Sequence, residues 1–155
     1  MQLKIRRATP ADAAAVTELY LRARDVGSAS GTIPPLVHDG DEVKRWVAGF
    51  VIPRLEGWLA EGATGAVVGL LVLDRDWIDQ LYVAPELTGA GIGTQLIGVA
   101  KHERPGGLRL WTFVSNHAAQ RFYRRHGFRE VERTDGSGNE EGAPDIQYAW
   151  RPACP

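Results

Sequence analysis

One cysteine is all this 155-residue chain contains, and it lies next to the C-terminus as Cys154. A lone thiol cannot close an internal disulfide, and no His/Cys spacing suits a metal ion, so neither disulfide scaffolding nor a metal is expected. A reducing, cytoplasmic setting fits that composition. Long apolar runs are also missing: none approaches the ~20 residues of a bilayer-crossing helix. No apolar signal core follows the start Met1-Gln2-Leu3-Lys4-Ile5-Arg6-Arg7. Neither sign of charge is in excess, since 18 Lys+Arg stand against 19 Asp+Glu for a net charge of −1. No global field therefore recruits nucleic acid or an anionic membrane. Two phosphate-binding signatures are absent as well. There is no Gly-Lys-Ser/Thr tripeptide, and a G-x-G-x-x-G count begun at Gly89 ends on Thr94. With no internal repeat, low-complexity tail or linker, the length suits one domain over residues 1–155.

What is present reads as strands and helices in mixed order. Leu3 to Arg7 suits a short edge strand, and Thr9-Pro10-Ala11-Asp12 reads as a helix start. Val16, Leu19, Tyr20 and Ala23 follow at helical spacing. Gly27 to Gly40 reads as a loop, and Asp41 to about Phe50 as a helix, with Pro53 ending it or starting a turn. Gly57–Glu61 and Ala66–Leu73 form an expected hairpin, with Trp77–Val83 as the next strand. Then come a helix from Gly91 to His102, a strand from Leu108 to Val114, a helix from Asn116 to His126 and a strand from Phe128 to Glu132. A polar loop from Thr134 to Pro144 leads to a last strand, Ile146–Trp150. The order predicts an α/β (α+β mixed) sheet flanked by helices.

Asp79 to Thr94 is the most informative stretch. A strand ends at Pro85, and Gly89, Gly91 and Gly93 open a helix. Backbone N–H groups free of a neighbouring Cβ, placed at the positive end of a helix, form a cradle for phosphate. An ordinary Gly-rich turn is the plainer alternative. A second constellation follows: the strand leading to Asn116, then Ala119, Phe122, Tyr123, Gly127 and Phe128.

Both motifs resemble the GNAT acyltransferase superfamily, in which L-Y-V-x-P leads into Q/R-x-x-G-x-G/A and a later helix carries A-x-x-F-Y-x-x-x-G-F. The matching residues are Leu81-Tyr82-Val83-Ala84-Pro85, then Thr88-Gly89-Ala90-Gly91-Ile92-Gly93, and later Asn116 to Phe128. Thr88 departs from the pattern, standing where the family usually has Gln or Arg. The resemblance implies a mostly antiparallel mixed sheet whose two central strands splay apart around the pantetheine arm of acetyl-CoA. It implies cofactor contacts from Leu81, Tyr82, Val83, the Thr88–Thr94 turn (Thr88, Gly89, Ala90, Gly91, Ile92, Gly93, Thr94) and Asn116. It further implies Tyr123 as the acid that protonates the departing sulfur. Without the motif, Tyr123 reads as core packing and Asn116 as a helix N-cap, and these roles are compatible for Asn116.

Asp79 alternates with Leu81 and Val83, which predicts a shared strand face and makes it a candidate base. The alternative is a plain strand-end carboxylate. Trp77 is expected on that face too, shaping the acceptor pocket. Glu140, Glu141 and Asp145 lie in the last hairpin, where the resemblance puts an acceptor wall; they suit a cationic amine or simply form an acidic loop. The function implied is N-acetylation of a small-molecule or peptide amine, with a non-catalytic acyl-CoA sensor as the rival. The oligomeric state, a homodimer included, stays open.

Overall fold

The computed structural model describes residues 2–153; Cys154 lies outside them. Strands β1 (Lys4–Arg7), β2 (Glu56–Glu61), β3 (Val67–Asp74), β4 (Trp77–Val83), β5 (Leu108–Phe113), β6 (Arg129–Thr134) and β7 (Asp145–Trp150) form one sheet in the order β1-β2-β3-β4-β5-β7-β6. Every neighbouring pair is antiparallel except β4 and β5, which run parallel. β3 is buried on both faces, as its continuous apolar run demands. The helices are α1 (Ala13–Ala29), α2 (Gly40–Trp46), the short α3 (Ile52–Arg54), α4 (Ile92–Glu103) and α5 (His117–Arg125).

The two faces are covered by different helices. A Cβ on Gly69 of β3 would stand 2.8 Å from Ile92 and 2.9 Å from Leu96, so α4 lies tightly on that face. On the other, Tyr20 of α1 meets Tyr82 of β4 edge-on at 5.2 Å and Trp46 at 5.5 Å.

Helix boundaries differ from the sequence pattern in two places. α1 runs two residues beyond Gly27, because Ile33 packs where a Gly27 side chain would be (2.5 Å from its ideal Cβ) and holds the last turn in place. Between α2 and α3 the chain does not stop at Pro53. It passes through a π-type turn at Val47–Val51, and Pro53 sits in the first turn of α3, where its missing N–H costs little. The Thr134 end of the polar loop is also strand, paired with Asp145.

The largest correction lies in β4. Val72 and Leu73 are adjacent on β3, yet they pair with Gln80 and Ile78, so Asp79 is the extra residue of a β-bulge. A bulge inverts the alternation beyond it. Trp77 therefore shares its face with Gln80 and Tyr82, while Ile78, Leu81 and Val83 share the α4 face with Leu73, Leu71 and Gly69. The expected common face for Trp77, Asp79, Leu81 and Val83 does not exist.

Candidate active site

β4 and β5 touch only at their start. Trp77 pairs with Arg109, the Arg109 N–H donates to the Asp76 carbonyl at 2.9 Å, and no further pairing follows. From there the strands diverge. Ala84 N–H donates to the Val68 carbonyl at 2.8 Å on the β3 side. By ladder alternation the groups of Tyr82 also face β3, and those of Leu81 and Val83 point into the gap, where β5 is too far to pair. The splay thus creates an unpaired strand edge inside the sheet, able to pair with an extended arm of a ligand.

On the α4 face the gap opens into a cavity of about 450 Å³, whose lining includes Leu81, Val83, Thr88, Gly89, Gly91, Ile92, Gly93, Thr94 and Arg125. Gly91 has φ +86° and serves as the N-terminal cap of α4, with no side chain capping it. The first N–H to bond back into the helix is that of Gln95, to the Gly91 carbonyl at 3.1 Å. The N–H groups of Ile92, Gly93 and Thr94 thus have no intrahelical partner, as at any helix start. Gly93 serves differently: a Cβ there would press on the Phe122 ring at 3.1 Å, so its absence lets α5 approach α4. Ala90 is not a free donor, since its N–H is spent on the Leu87 carbonyl at 3.2 Å.

The opposite side holds a smaller cavity of about 120 Å³, lined by Arg24, Asp79, Tyr82, Trp111 and Asn116 among others. Leu81, Ala119 and Tyr123 line both cavities, so the two lie on either side of these residues. Trp111, Thr112 and Phe113 are shared in turn with a third cavity of about 580 Å³ against the last hairpin.

Tyr123 is 8% exposed and packs edge-on against Phe122 and Phe128. Burial, and to a lesser degree Tyr82, push its phenol above the ordinary value. Such a group holds its proton at neutral pH, so the phenol stands in the donor form. Asn116 caps α5 by accepting the Ala119 N–H at 3.2 Å, which leaves its amide donors for the gap. Gln120, which the motif did not single out, is buried. It donates to the carbonyls of Phe113 (3.2 Å) and Val114 (2.8 Å), fixing the end of β5 against α5.

Asp79 reaches solvent, yet the surrounding walls withhold enough water to raise its carboxyl above the ordinary value. The Gln80 amide at 3.3 Å pulls the other way, and Asp74 adds a little to the rise. Trp77 lines none of these cavities. It stacks with Trp111, with ring centres 6.4 Å apart and planes at 7°, and the Arg109 guanidinium lies over its ring at 4.4 Å.

Neither proposed acceptor carboxylate in the last hairpin is free. Both oxygens of Asp145 accept within the hairpin, from the Thr134 hydroxyl and from Asn139 Nδ2 at 3.1 Å. Glu141 forms a largely buried ion pair with Arg24 at 3.2 Å. Sequence reading missed Arg24 because it lies mid-helix among exposed neighbours; only its tertiary setting makes it unusual. Glu140 is exposed and pairs with His38 at 2.8 Å. Removing one member of the buried pair leaves the other charge uncompensated. Glu141→Gln is therefore expected to destabilise the fold by about 3 kcal/mol, lowering Tm by roughly 6–12 °C in thermal unfolding at this chain length. An unchanged Tm would show that the pair does not form in solution.

A splayed parallel strand pair, a glycine cradle at a helix start and a tyrosine shared by the walls of two cavities define an acyltransferase-type fold and site. The chain belongs to the GNAT acetyltransferase family: the model for the acetyltransferase (GNAT) domain matches residues 53–130. An uncharacterized N-acetyltransferase of Methanocaldococcus jannaschii is 33% identical over 108 residues, covering 59% of this chain and 48% of the relative. This chain thus spans about half the length of that relative. A peptidyl-lysine N-acetyltransferase, YjaB of Salmonella typhimurium, is 31% identical over 96 residues, covering 61% of this chain and 63% of the relative. Among solved structures, apo YjaB from Escherichia coli has a TM-score of 0.77 at 23% identity, covering 99% of this chain and 100% of that one. The PaiA N-acetyltransferase of Thermoplasma acidophilum, in complex with coenzyme A, has 0.71 at 20% identity, covering 98% and 100%. These structural likenesses establish the fold. Among the described residues no helix is long and apolar enough to cross a membrane, and no group of side chains could hold a metal ion.

Proposed function

We propose that this chain is an acetyl-CoA-dependent N-acetyltransferase that acetylates a primary amine of a small molecule or peptide by direct attack in a ternary complex, in the cytoplasm. The supporting observation is that two cavities, one on each side, share Tyr123 in their walls. One fits a cofactor with a pyrophosphate and a strand-like arm; the other fits an acceptor approaching from across the sheet. The backbone of Leu81 and Val83 would pair with the pantetheine arm, and the N–H groups of Ile92, Gly93 and Thr94 would hold pyrophosphate, with Arg125 beside them. Thr88 stands at the same rim, its hydroxyl donating to the Pro85 carbonyl at 3.2 Å, so it offers less to phosphate than a long polar side chain. Asn116 stands across the gap, on the acceptor side, where its free amide would reach the arm. Tyr82 contributes to the acceptor side.

Acetyl-CoA supplies an activated thioester. Asp79, directly or through water, takes a proton from the acceptor ammonium, and the neutral nitrogen attacks the carbonyl carbon. The C–N bond would form as the C–S bond breaks; Tyr123 would give its proton to sulfur, and the second proton of the attacking nitrogen would pass to the Tyr123 oxygen, directly or through water, restoring the phenol. An N–H near Val83 polarises the carbonyl oxygen. Tyr123 and Asp79 are the residues given the proton transfers.

The test is thiol release from acetyl-CoA across amine, aminoglycoside, amino-acid and peptide panels. Release with at least one amine supports the reading. Tight CoA binding with no release would make the chain a non-catalytic acyl-CoA-binding module. Asp79→Asn is expected to lower kcat/KM by about 10²-fold or more, the usual worth of a general base, with CoA affinity retained. The pH profile checks the sign. A base works only when deprotonated, so activity rises with pH through the Asp79 pKa. Because burial raises that pKa, the limb should lie above the ordinary carboxylate range and vanish in the variant. A limb that survives Asp79→Asn unchanged assigns the base elsewhere.

A further inference from the structure

We infer that Arg24 recognises a carboxylate on the acceptor, so that the acceptor is a small amine carrying its own carboxylate, an α-amino acid in the simplest case. The inference rests on the N-acetyltransferase reading above and narrows its substrate class. Arg24 is 6% exposed and lines the acceptor-side cavity. A guanidinium carries five N–H donors. In Arg24, Nη1 donates to the Tyr82 hydroxyl at 3.4 Å, and Nη2 donates to the Pro34 carbonyl at 3.4 Å and to Glu141 at 3.2 Å. The Nε atom is buried without a partner among the described residues, and the second Nη1–H has none either. Buried donors are rarely left unpaired, least of all on a charged group. Tyr82 accepts from Arg24, so its own O–H is also available to donate.

Arg24 and Tyr82 both line this small cavity, and both carry donors that no described residue engages. The guanidinium fork matches a carboxylate in shape and charge. The charge balance agrees. Glu141 offsets Arg24 through a single contact, and Asp79 is the carboxylate among the residues lining this cavity. A cavity holding a cation at one point and a carboxylate at another suits a zwitterion better than a bare polycation. Size agrees too. The 120 Å³ space suits an amine and carboxylate a few bonds apart. The acceptor's side chain can continue past Trp111 into the 580 Å³ cavity, where both hairpin carboxylates are already engaged.

The test pairs each α-amino acid with its carboxamide, which keeps the amine and removes the negative charge. Thiol release is measured alongside calorimetric binding to CoA-saturated protein. The wild type should prefer acids over amides at least tenfold. The double variant Arg24→Gln/Glu141→Gln, which removes both charges together, should lose that preference with CoA affinity intact, and Arg24→Lys should keep part of it. A change in overall stability alone would move acid and amide equally. Equal use of both by the wild type, or a preference that survives in the double variant, overturns the inference. Should no amine be acetylated, calorimetry decides alone. Carboxylate-dependent binding that needs Arg24 upholds this role while the transferase reading falls; its absence overturns both. If the double variant does not fold, Arg24→Lys carries the comparison, and an unaltered preference there counts against Arg24.

Discussion

Tyr123→Phe is expected to lower turnover by about 10²–10⁴-fold, the worth of a general acid, while the affinity for acetyl-CoA stays near wild type. The substitution removes one oxygen and keeps the ring, which is what Phe122, Phe128 and Tyr148 pack against. No hydrogen bond to the Tyr123 hydroxyl exists among the described residues, so the fold should lose little. This separates the two roles of the side chain. Were it only core, the variant would turn over normally. Were it the proton donor, a thiolate would have to leave unprotonated, and the slow step would become C–S cleavage. The measurement is single-turnover acetyl transfer, so that product release does not mask chemistry. A normal single-turnover rate in a folded variant would leave Tyr123 as packing alone.

Gly91→Asp is expected to weaken CoA binding by about 3–4 kcal/mol, two to three powers of ten in Kd. Gly91 is the cap of α4 at φ +86°, and its ideal Cβ would stand in open space, with nothing within 4 Å. A carboxylate there would project toward the mouth of the cradle, where its charge opposes pyrophosphate and occupies donors meant for it. The backbone cost is separate: about 1–2 kcal/mol of fold stability for a side chain in the left-handed region. Gly91→Ala carries that backbone cost without the charge. Calorimetry on the pair therefore assigns the effect, with Ala close to wild type in CoA affinity and Asp far from it. Equal losses in both would mean that loop shape, not charge, holds the cofactor. Unchanged affinity in both would move the phosphate site away from this turn.

Local pattern carried much of this structure. The edge strand, the hairpin, the apolar central strand and the glycine turn before α4 follow from residue types within a few positions of one another, because propensity, alternation and caps are short-range properties. The same holds for Asn116 as the cap of α5 and for Gly127, at φ +86°, closing that helix. Resemblance to the family added what spacing alone does not contain, the splay between β4 and β5.

The misreadings share one cause. Asp79 and Trp77 were placed by counting alternate residues, and one extra residue in β4 inverts the count; a bulge is decided by how β4 registers on β3, which no stretch of β4 encodes alone. Glu141 and Asp145 looked like free acids, since a loop sequence does not reveal that Arg24, 117 positions away, will claim one of them. Arg24 itself looked like one more helix surface charge. The sequence by itself determined the elements, the glycine turn before α4 and the tyrosine on α5, because those depend on neighbours in the chain. The tertiary structure alone decided which carboxylates stay free, which arginine is buried with unspent donors, and that two cavities share Tyr123 in their walls. Those outcomes depend on contacts between distant segments, and burial, not residue type, sets their chemistry.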